Sequence, residues 1–396
     1  MLKGWVKMHK RLIFRAGVLL IGVALFVLGI FVGDGRISWS TSRNGLPAQL
    51  DYSSVNQVYQ DLKSQYYGTL TTTQLLNGMK TGMVNAVGDP YTEYFTPSQA
   101  KAFNNDLNGS FGGIGAELGE NASNQLEIIA PLAGTPADKA GLKPNDLITS
   151  INGTNTTGMS IDAAVAKIRG PVNSKVTLGI TRGGAQLTFT IVRANITPPS
   201  VTYKTLSGNI GYMQISQFSN DTSGLAEKAA QSFQQAHVKG VILDLRNDPG
   251  GLVDAAVNVS SLWLPSGQEI MQERAGSSVL QTYYSTGNDL LKGIPTVVLI
   301  NSGSASAAEI TTGALHDNHA AYVIGEKSYG KGVVQQLDNL SDGSELKVTI
   351  ASWYRPDGQN INHKGIQPDQ TVGLTDAQAA AGQDPQLQAA EAYLQK

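Results

Sequence analysis

Residues 294–316 read IPTVVLINSGSASAAEITTGALH, which is an apolar run, a turn of small residues and a helical pattern. The run at 294–301 lacks polar alternation, as expected of a strand buried on both faces of a sheet. The segment at 305–316 predicts a helix that leaves the end of this strand. This order of elements predicts an α/β layer with a largely parallel sheet.

The same alternation of strand and helix extends to both sides of this stretch, from residue 201 onward. Further apolar strands are predicted at 239–246 (KGVILDLR) and 321–326 (AYVIGE), and further helices at 225–237 and 252–262. We therefore expect one α/β core in this half of the chain.

Residues 108–196 have a different pattern, which predicts a compact α+β unit. A glycine-rich turn, GSFGGIGAELG at 109–119, leads into alternating strand residues. Asn152-Gly153 and Gly183-Gly184 are typical hairpin turns, and IDAAVAKIRG at 161–170 is an amphipathic helix. Paired prolines at 198–199 mark the boundary with the α/β core.

The first 33 residues predict a membrane anchor. Five cations and no acidic residue lie within 3–15, followed by 18 uncharged residues at 16–33. As a helix these 18 residues span about 27 Å, enough for a thin hydrocarbon core, and the positive flank predicts a cytoplasmic N-terminus with the remaining chain outside. A cleaved signal peptide is the alternative, but the apolar run is long and GDGRISWS offers no A-x-A site.

Composition excludes several classes of function. The 396 residues have 41% hydrophobic content, suited to two or three folded domains. The absence of cysteine excludes thiol nucleophiles, disulfides and zinc–thiolate sites. A net charge of −2 argues against nucleic acid as a partner. No paired His/carboxylate spacing indicates a metal, so we expect no cofactor.

Two separate segments carry candidate nucleophilic chemistry. Ser306 lies where a predicted strand ends and a helix begins, a position that favours a developing oxyanion. Ser302, Ser304 and Ser306 read equally well as helix caps and packing residues. Lys331 lies between glycines in GEKSYGKGVVQ at 325–335, where a lone lysine is ordinarily a surface group.

The predicted topology brings these two segments together. The helix after Ser306 runs outward for roughly 15 Å, and the next strand returns about 17–20 Å, to the level of Lys331. Burial must lower the pKa of this lysine for it to act as a general base, and Gln335 on the same strand face can orient the amine. The turn in DLRNDPGGLVDAA at 244–256 places the amides of Gly250 and Gly251 as oxyanion candidates beside that of Ala307. A Pro-Gly-Gly segment is also an ordinary turn.

The motifs DLRNDPGG, NSGSASAAE, GEKSYGKGVVQ and NHKGIQPD, in this order, resemble the carboxyl-terminal processing peptidases, or tail-specific proteases. The resemblance spans about 55–372 and implies a crotonase-like α/β peptidase core with an inserted PDZ domain. It implies Ser306 as nucleophile, Lys331 as general base and Gln335 as the residue that positions it. It also implies an oxyanion hole of the Gly250 and Ala307 amides, with Gly251 as a third candidate. This chain departs from the family pattern at Asp248, where Asn or Gly is commoner, and at Ala308.

Residues 109–119, 131–153 and 161–170 resemble a PDZ domain of the protease-associated kind. Such a domain binds an extended peptide and captures its terminal carboxylate in a glycine-rich loop. The resemblance assigns this loop to Phe111, Gly112, Gly113, Ile114 and Gly115, and it makes Arg169 a candidate charge partner or relay to the peptidase. We expect Phe111 and Ile114 to line the pocket for the terminal residue.

The resulting expectation is a membrane-anchored serine endopeptidase that cuts exported proteins near their free C-termini; a homo-oligomer is compatible with the sequence. Its predicted regions are a cytoplasmic tail 1–15, an anchor 16–33, a linker 34–50, a helical region 51–107, a PDZ domain 108–196, a peptidase core 197–376 and a helical tail 377–396. The alternatives are a catalytically silent PDZ scaffold and an acyl-transfer enzyme on small molecules. A further alternative is a Ser-His-Asp triad with His316, His319 or His363 and with Asp317 or Asp369. His316 cannot be the base of Ser306, because it lies about 15 Å along the helix from it, whereas His363 has no such bar.

Overall fold

The computed structural model describes residues 51–121, 123–132, 134–375, 377–378 and 381–396. The chain forms two units, one ending at Leu75 and one from Leu76 to Lys396. The predicted tail, anchor and linker at 1–50 lie outside the described residues. Among the helices that the structure describes, none is both long and apolar enough to cross a membrane.

The helices and strands follow the chain in a consistent order. The helices are α1 Ser53–Gln65, α2 Thr72–Asn85, α3 Pro97–Leu107, α4 Pro136–Ala140, α5 Ile161–Ile168, α6 Thr222–Gln235, α7 Val253–Ser260, α8 Ala307–Asp317 and α9 Pro385–Leu394. The strands are β1 Glu93–Phe95, β2 Phe111–Gly113, β3 Ala116–Glu120, β4 Leu126–Pro131, β5 Asp146–Ile151, β6 Thr154–Asn155, β7 Lys175–Arg182, β8 Ala185–Val192, β9 Ala194–Ile196, β10 Val201–Leu206, β11 Ile210–Ile215, β12 Gly240–Asp244, β13 Glu269–Ala275, β14 Ser278–Tyr284, β15 Thr296–Ile300, β16 Tyr322–Gly325, β17 Val333–Asn339, β18 Glu345–Tyr354 and β19 Gln370–Thr371.

The predicted α/β layer is present. Its sheet has the order β10-β11-β12-β15-β16-β19, in which β10 and β11 are antiparallel and the other pairs are parallel. Every residue of β12 and β15 is buried. Val298 and Ile300 belong to the same core as helices α6 to α8, whereas Val297 and Leu299 pack in the core of α9. The continuous apolar run of β15 therefore results from helices covering both faces.

The predicted C-terminal tail is an integral layer of this core. The helix begins at Pro385, later than the predicted start at 377, and the Asp384 side chain accepts a hydrogen bond from the Leu387 amide at 2.9 Å. The Arg246 guanidinium, just after β12, donates to Asp384 at 2.9 Å and also pairs with Asp244. This buried ion-pair network fixes the last helix beside the end of β12.

The α+β unit at 108–196 contains a sheet with the order β3-β4-β5-β7-β8 and a separate β2–β9 pair. Its core includes Ile128, Leu178 and Ile180, which are fully buried. Helix α5 ends at Ile168, two residues before the predicted end, because Arg169 is already extended with φ −65° and ψ 160°.

A second sheet was missed by the sequence analysis. It is five-stranded, with the order β1-β18-β13-β14 and β17 paired to β18. Its strands alternate irregularly, with register shifts within β13 and between Val334 and Gln335, and β14 has no buried residue. A weakly buried, bulged sheet has no clear period in sequence.

His316 lies at the far end of α8 from Ser306 and takes part in a structural cluster. Its Nδ1 is 3.0 Å from Asp317 Oδ1, and its Nε2 is 3.0 Å from Asp369 Oδ1. Arg355 also binds Asp317 at 3.1 Å. Hydrogen bonds to Asp317 raise the pKa of His316, with a further contribution from Asp369. This histidine joins α8 to the segment before β19.

We predict that His316→Gln destabilises the protein below pH 6.5 by about 1 kcal/mol, since a protonated histidine in the last turn also interacts favourably with the helix dipole. A raised folded-state pKa means that the contribution is complete below the unfolded value and is lost as pH rises through the folded one. Urea unfolding at pH 5.5 and 8.5 measures this, with the exposed His319→Asn as control. A difference that is equal at both pH values would contradict the assignment.

Candidate active site

The turn between β15 and α8 distinguishes the three serines. Ser304 is buried, accepts the Asn301 amide at 3.0 Å and donates to the Leu245 carbonyl at 2.7 Å, so it is a structural residue. Ser302 is exposed. Ser306 immediately precedes α8 with φ 52° and ψ −114°, and it lines a cavity. A positive φ at a non-glycine residue is strained and is found where the surrounding structure imposes it.

The turn after β12 packs directly against Ser306. A Cβ on Gly250, which has φ 92°, would lie 2.7 Å from both the Ala307 amide nitrogen and Ser306 Cβ. A Cβ on Gly251 would lie 2.0 Å from the Phe218 carbonyl oxygen. Glycine is required at both positions because neighbouring atoms, including the Ala307 amide nitrogen and the Phe218 carbonyl oxygen, occupy the space that a Cβ would need.

The backbone amides of this turn differ from the expected arrangement. The Gly250 amide donates to Asp248 Oδ1 at 2.8 Å and is therefore occupied. The Gly250 carbonyl accepts the Phe218 amide, and the Leu252 amide donates to the Phe218 carbonyl. The Gly251 amide between them therefore points away from Phe218. Within the described residues, the Gly251 and Ala307 amides have no hydrogen-bond acceptor. The geometry favours these two amides over that of Gly250 as oxyanion donors.

Lys331 reaches the same cavity from the segment before β17. Its carbonyl accepts the Trp353 Nε1 proton at 2.8 Å, and its Nζ lies 5.4 Å from the centroid of the Tyr91 ring. Burial lowers the pKa of the Lys331 amine, and the positive charge of Lys347 lowers it further, against a smaller opposing effect of Glu309. A lysine in this setting can be neutral at a pH where a surface lysine is charged.

Gln335 lines the cavity but is bonded elsewhere. Its Nε2 donates to Thr349 Oγ1 at 3.4 Å, and among the described residues no hydrogen bond joins it to Lys331. Lys331 precedes strand β17, and a bulge separates Val334 from Gln335, yet both Lys331 and Gln335 line the cavity. Its role as a positioning residue stays a prediction.

One cavity of about 340 Å³ therefore collects the candidate residues. Ser306, Lys331, Gln335, Gly250 and Gly251 all line it. The remaining walls are mainly apolar and include Phe103, Leu107, Leu252, Val253, Ile310, Val334, Leu337 and Trp353. A groove of this composition fits an apolar peptide side chain beside the reacting groups.

Glu309 is a candidate site residue that sequence reasoning missed. It lies in the first turn of α8, is fully buried and accepts the Ser306 and Lys331 amides on Oε2, each at 3.0 Å. Its Oε1 accepts the Gly330 amide at 2.7 Å and the Ser328 hydroxyl at 2.5 Å. Burial raises the pKa of this carboxyl, and the four hydrogen bonds oppose that effect. The Ser-x-x-Glu spacing, usual for a helix N-terminus, is the signal that could have found it.

The predicted carboxylate loop lies partly in strand β2. Ile114 is buried in the core of the unit, and its part in a peptide pocket stays a prediction. Gly112 approaches Gly170 so closely that a Cβ would lie 2.1 Å from the Gly170 oxygen, and Gly115 has φ 75°. Gly113 pairs with Ala194 in β9.

Arg169 and Phe111 form a contact at this loop. The guanidinium carbon of the exposed Arg169 lies 3.9 Å from the Phe111 ring centroid, which is a cation–π geometry. Both residues line a second cavity that extends to Gln217 and Pro249, the residue before Gly250. The contact therefore lies between the α+β unit and the turn at 248–251 that packs against Ser306.

Comparison with known proteins identifies the family. The chain is 38% identical over 359 residues to a CtpA-like serine protease of Staphylococcus aureus strain MSSA476, covering 90% of this chain and 71% of the relative. Residues 209–372 match the model of peptidase family S41. The chain belongs to peptidase family S41 of serine peptidases. Residues 127–182 of this S41 chain match a PDZ domain and residues 38–98 match the activating protease CtpB N-terminal domain, so the expected family with its PDZ domain is confirmed.

Other relatives of the S41 chain agree. A CtpA-like serine protease of Staphylococcus saprophyticus is 37% identical over 87% of this chain and 70% of its own length. A Staphylococcus aureus strain RF122 relative is 39% identical, and the chain spans 65% of its length. The photosystem II D1 C-terminal processing protease has a TM-score of 0.52 and 28% identity over 82% of this chain and 87% of that one. The expected peptidase fold is confirmed.

We predict that Glu309→Gln lowers peptidase kcat by roughly 100-fold, because misplacing reacting groups by about 1 Å has an effect of this size. The NH2 of the glutamine would face either the Ser306 and Lys331 amides or the Gly330 amide and the Ser328 hydroxyl, which all donate to Glu309. The lost acceptor should also reduce the free energy of unfolding by about 2 kcal/mol. Steady-state kinetics on an unfolded protein substrate and urea unfolding measure both effects.

Glu345→Gln is the matched control. Glu345 is also a buried carboxylate, but it binds Asn104 through Oε1, and its Oε2 has no partner among the described residues. We expect this variant to keep its kcat within about threefold. Equal kinetic losses in the two variants would refute a specific role for Glu309.

Proposed function

We propose that this chain is a membrane-anchored endopeptidase that cuts exported protein substrates near their C-termini, with Ser306 as nucleophile and Lys331 as general base. The observation that carries the proposal is the shared cavity, which is lined both by a strained serine at a helix N-terminus and by a lysine whose pKa is lowered. A Ser–Lys pair is an attested form of nucleophilic catalysis. A PDZ scaffold without activity would have no use for this lysine.

The reaction follows from the placement of these groups. Neutral Lys331 accepts the proton of Ser306 Oγ while Oγ attacks the scissile carbonyl carbon. The Gly251 and Ala307 amides donate to the resulting oxyanion. The Lys331 ammonium then gives its proton to the leaving amine as the C–N bond breaks. A water molecule, deprotonated by Lys331, hydrolyses the acyl-enzyme and restores the free serine.

The resting structure requires small adjustments before this reaction. Among the described residues, no hydrogen bond joins Lys331 Nζ to Ser306 Oγ, and Gln335 is bonded to Thr349. Catalytic hydrogen bonds are often absent without substrate and form in the complex. We infer that the bound substrate, through the cavity and the PDZ unit, completes the alignment.

We expect Ser306→Ala and Lys331→Ala to abolish turnover of an unfolded protein substrate. Lys331→Arg should also fail, because a guanidinium stays protonated and cannot accept the serine proton. The exposed Lys327→Ala, in the same segment, is the control and should keep full activity. Retention of more than a few per cent of activity by Lys331→Ala, with the circular dichroism spectrum unchanged, would refute the dyad.

The PDZ unit is proposed to recognise the free C-terminus of the substrate. A terminal carboxylate at the Gly112–Gly115 loop would form charge-assisted hydrogen bonds worth about 1.5–3 kcal/mol, which corresponds to roughly ten- to a hundredfold in affinity. Arg169 is the cation next to this loop, and its contact with Phe111 would be exchanged for the carboxylate.

We therefore expect a peptide with an amidated C-terminus to have a kcat/KM at least about tenfold below its free-acid twin. Arg169→Ala should reduce this ratio, whereas the exposed Lys167→Ala on the same helix should leave it unchanged. Equal kcat/KM values for the two peptides in the wild-type enzyme would exclude tail recognition.

The anchor at 16–33 is proposed from the sequence. Substituting two of its central apolar residues, Ala24→Arg and Val27→Arg, should release the protein from the membrane fraction, because charges at the centre of a span are disfavoured. External protease added to intact cells or spheroplasts should degrade the folded part of the wild-type chain. Protection of that part, or an unchanged distribution of the variant, would contradict the proposal.

A further inference from the structure

Asp248 occupies an unusual position in the turn that faces Ser306. Its carboxyl group is fully buried; Oδ1 accepts the Gly250 amide at 2.8 Å, and Oδ2 has no partner within the described residues. Its backbone carbonyl accepts the Ala305 amide at 2.9 Å. Asp248 therefore holds the oxyanion turn through its side chain and joins this turn to the serine segment through its main chain.

Among the residues that the structure describes, no cation forms an ion pair with this carboxyl group. The charged groups on the elements around it are bonded elsewhere: Arg246 to Asp244 and Asp384, Glu309 to the amides of Ser306, Gly330 and Lys331, and Lys331 over the Tyr91 ring. A buried carboxylate with one hydrogen bond and no cation is strongly disfavoured. Burial accordingly raises the pKa of Asp248 to about 8. Burial thus favours the protonated form of Asp248 at pH values where a surface aspartate is ionised.

Ionisation of Asp248 has a direct structural consequence. A buried carboxylate needs more than one donor, and the next amide along the turn is that of Gly251, which has no acceptor among the described residues. The turn has no spare room, because Gly250 lies against Ser306 and Ala307. A carboxylate that recruits the Gly251 amide, or water, would remove an oxyanion donor or displace the turn from the serine.

We propose that Asp248 is a positioning residue that keeps the oxyanion turn in its active geometry only while it is protonated, so that loss of its proton sets the alkaline limit of the reaction. The proposal rests on the proposed function. It adds a second titration to that of Lys331. Activity rises as Lys331 loses its proton and falls as Asp248 loses its own.

The test is the pH dependence of kcat/KM for wild type and Asp248→Asn. Asparagine keeps the acceptor for the Gly250 amide but cannot ionise. Wild type should show a bell-shaped profile that falls above about pH 8. The variant should keep the rising limb, and the factor by which its kcat/KM falls between pH 8 and pH 9.5 should be at least tenfold smaller than in wild type. The variant Asp289→Asn makes the same substitution at a partly exposed carboxyl group and should keep the wild-type profile.

The two limbs separate this proposal from the proposed function. A falling limb that persists unchanged in Asp248→Asn refutes the role of Asp248 while leaving the Ser–Lys assignment intact. Activity that persists in Ser306→Ala refutes the proposed function itself.

Unfolding gives a readout that does not depend on activity. An acid whose pKa is raised in the folded state loses stabilising effect as pH rises from the unfolded value, about 3.9, to the folded one. The urea midpoint of Asp248→Asn relative to wild type should therefore increase from pH 5 to pH 8 and stay constant above it. A difference that is constant from pH 5 upward would mean that Asp248 is ionised in the native protein, and would overturn the proposal.

Discussion

The buried carboxylate of Glu309 is the constraint on which the site depends. The parallel sheet brings the ends of β15 and β16 to one edge, but this alone would leave Ser306 and Lys331 on two independent loops. One carboxylate accepts hydrogen bonds from the backbone amides of both residues. It also accepts the Gly330 amide and the Ser328 hydroxyl. Its burial excludes water as an alternative partner, so the two loops can satisfy their amides only in this arrangement.

The strained backbone of the site lies at this same edge of the sheet. Ser306 holds a positive φ, and Gly250 permits the neighbouring turn to approach it where any side chain would collide. The approach places beside the serine the amides of Gly251 and Ala307, which have no acceptor in the part of the chain that the structure describes. Burial and the charge of Lys347 keep the lysine pKa low on the opposite wall. The walls of the cavity thus favour a neutral base and a developing negative charge together.

Sequence patterns predicted the α/β core because β12 and β15 are covered by helices on both faces and therefore lack polar alternation. They predicted the meeting of Ser306 and Lys331 because helix and strand lengths determine where the chain returns. They could not predict that the Gly250 amide is bonded to Asp248, since this depends on a side-chain rotamer in a turn. The bulge before Gln335 and the weakly buried antiparallel sheet produce no regular alternation of apolar residues in the sequence. The role of the last helix depends on the long-range pairing of Arg246 with Asp384.

The central claim is that a neutral Lys331 activates Ser306, and the most direct measurement is the pH dependence of covalent labelling of Ser306 by a fluorophosphonate reporter. The account predicts that the labelling rate rises with pH as Lys331 loses its proton, at a pKa below the ordinary lysine value of 10.5, and that Lys331→Ala loses this rise together with most of the rate. Labelling that is independent of pH between 6 and 9, or that proceeds equally fast in Lys331→Ala, would contradict it.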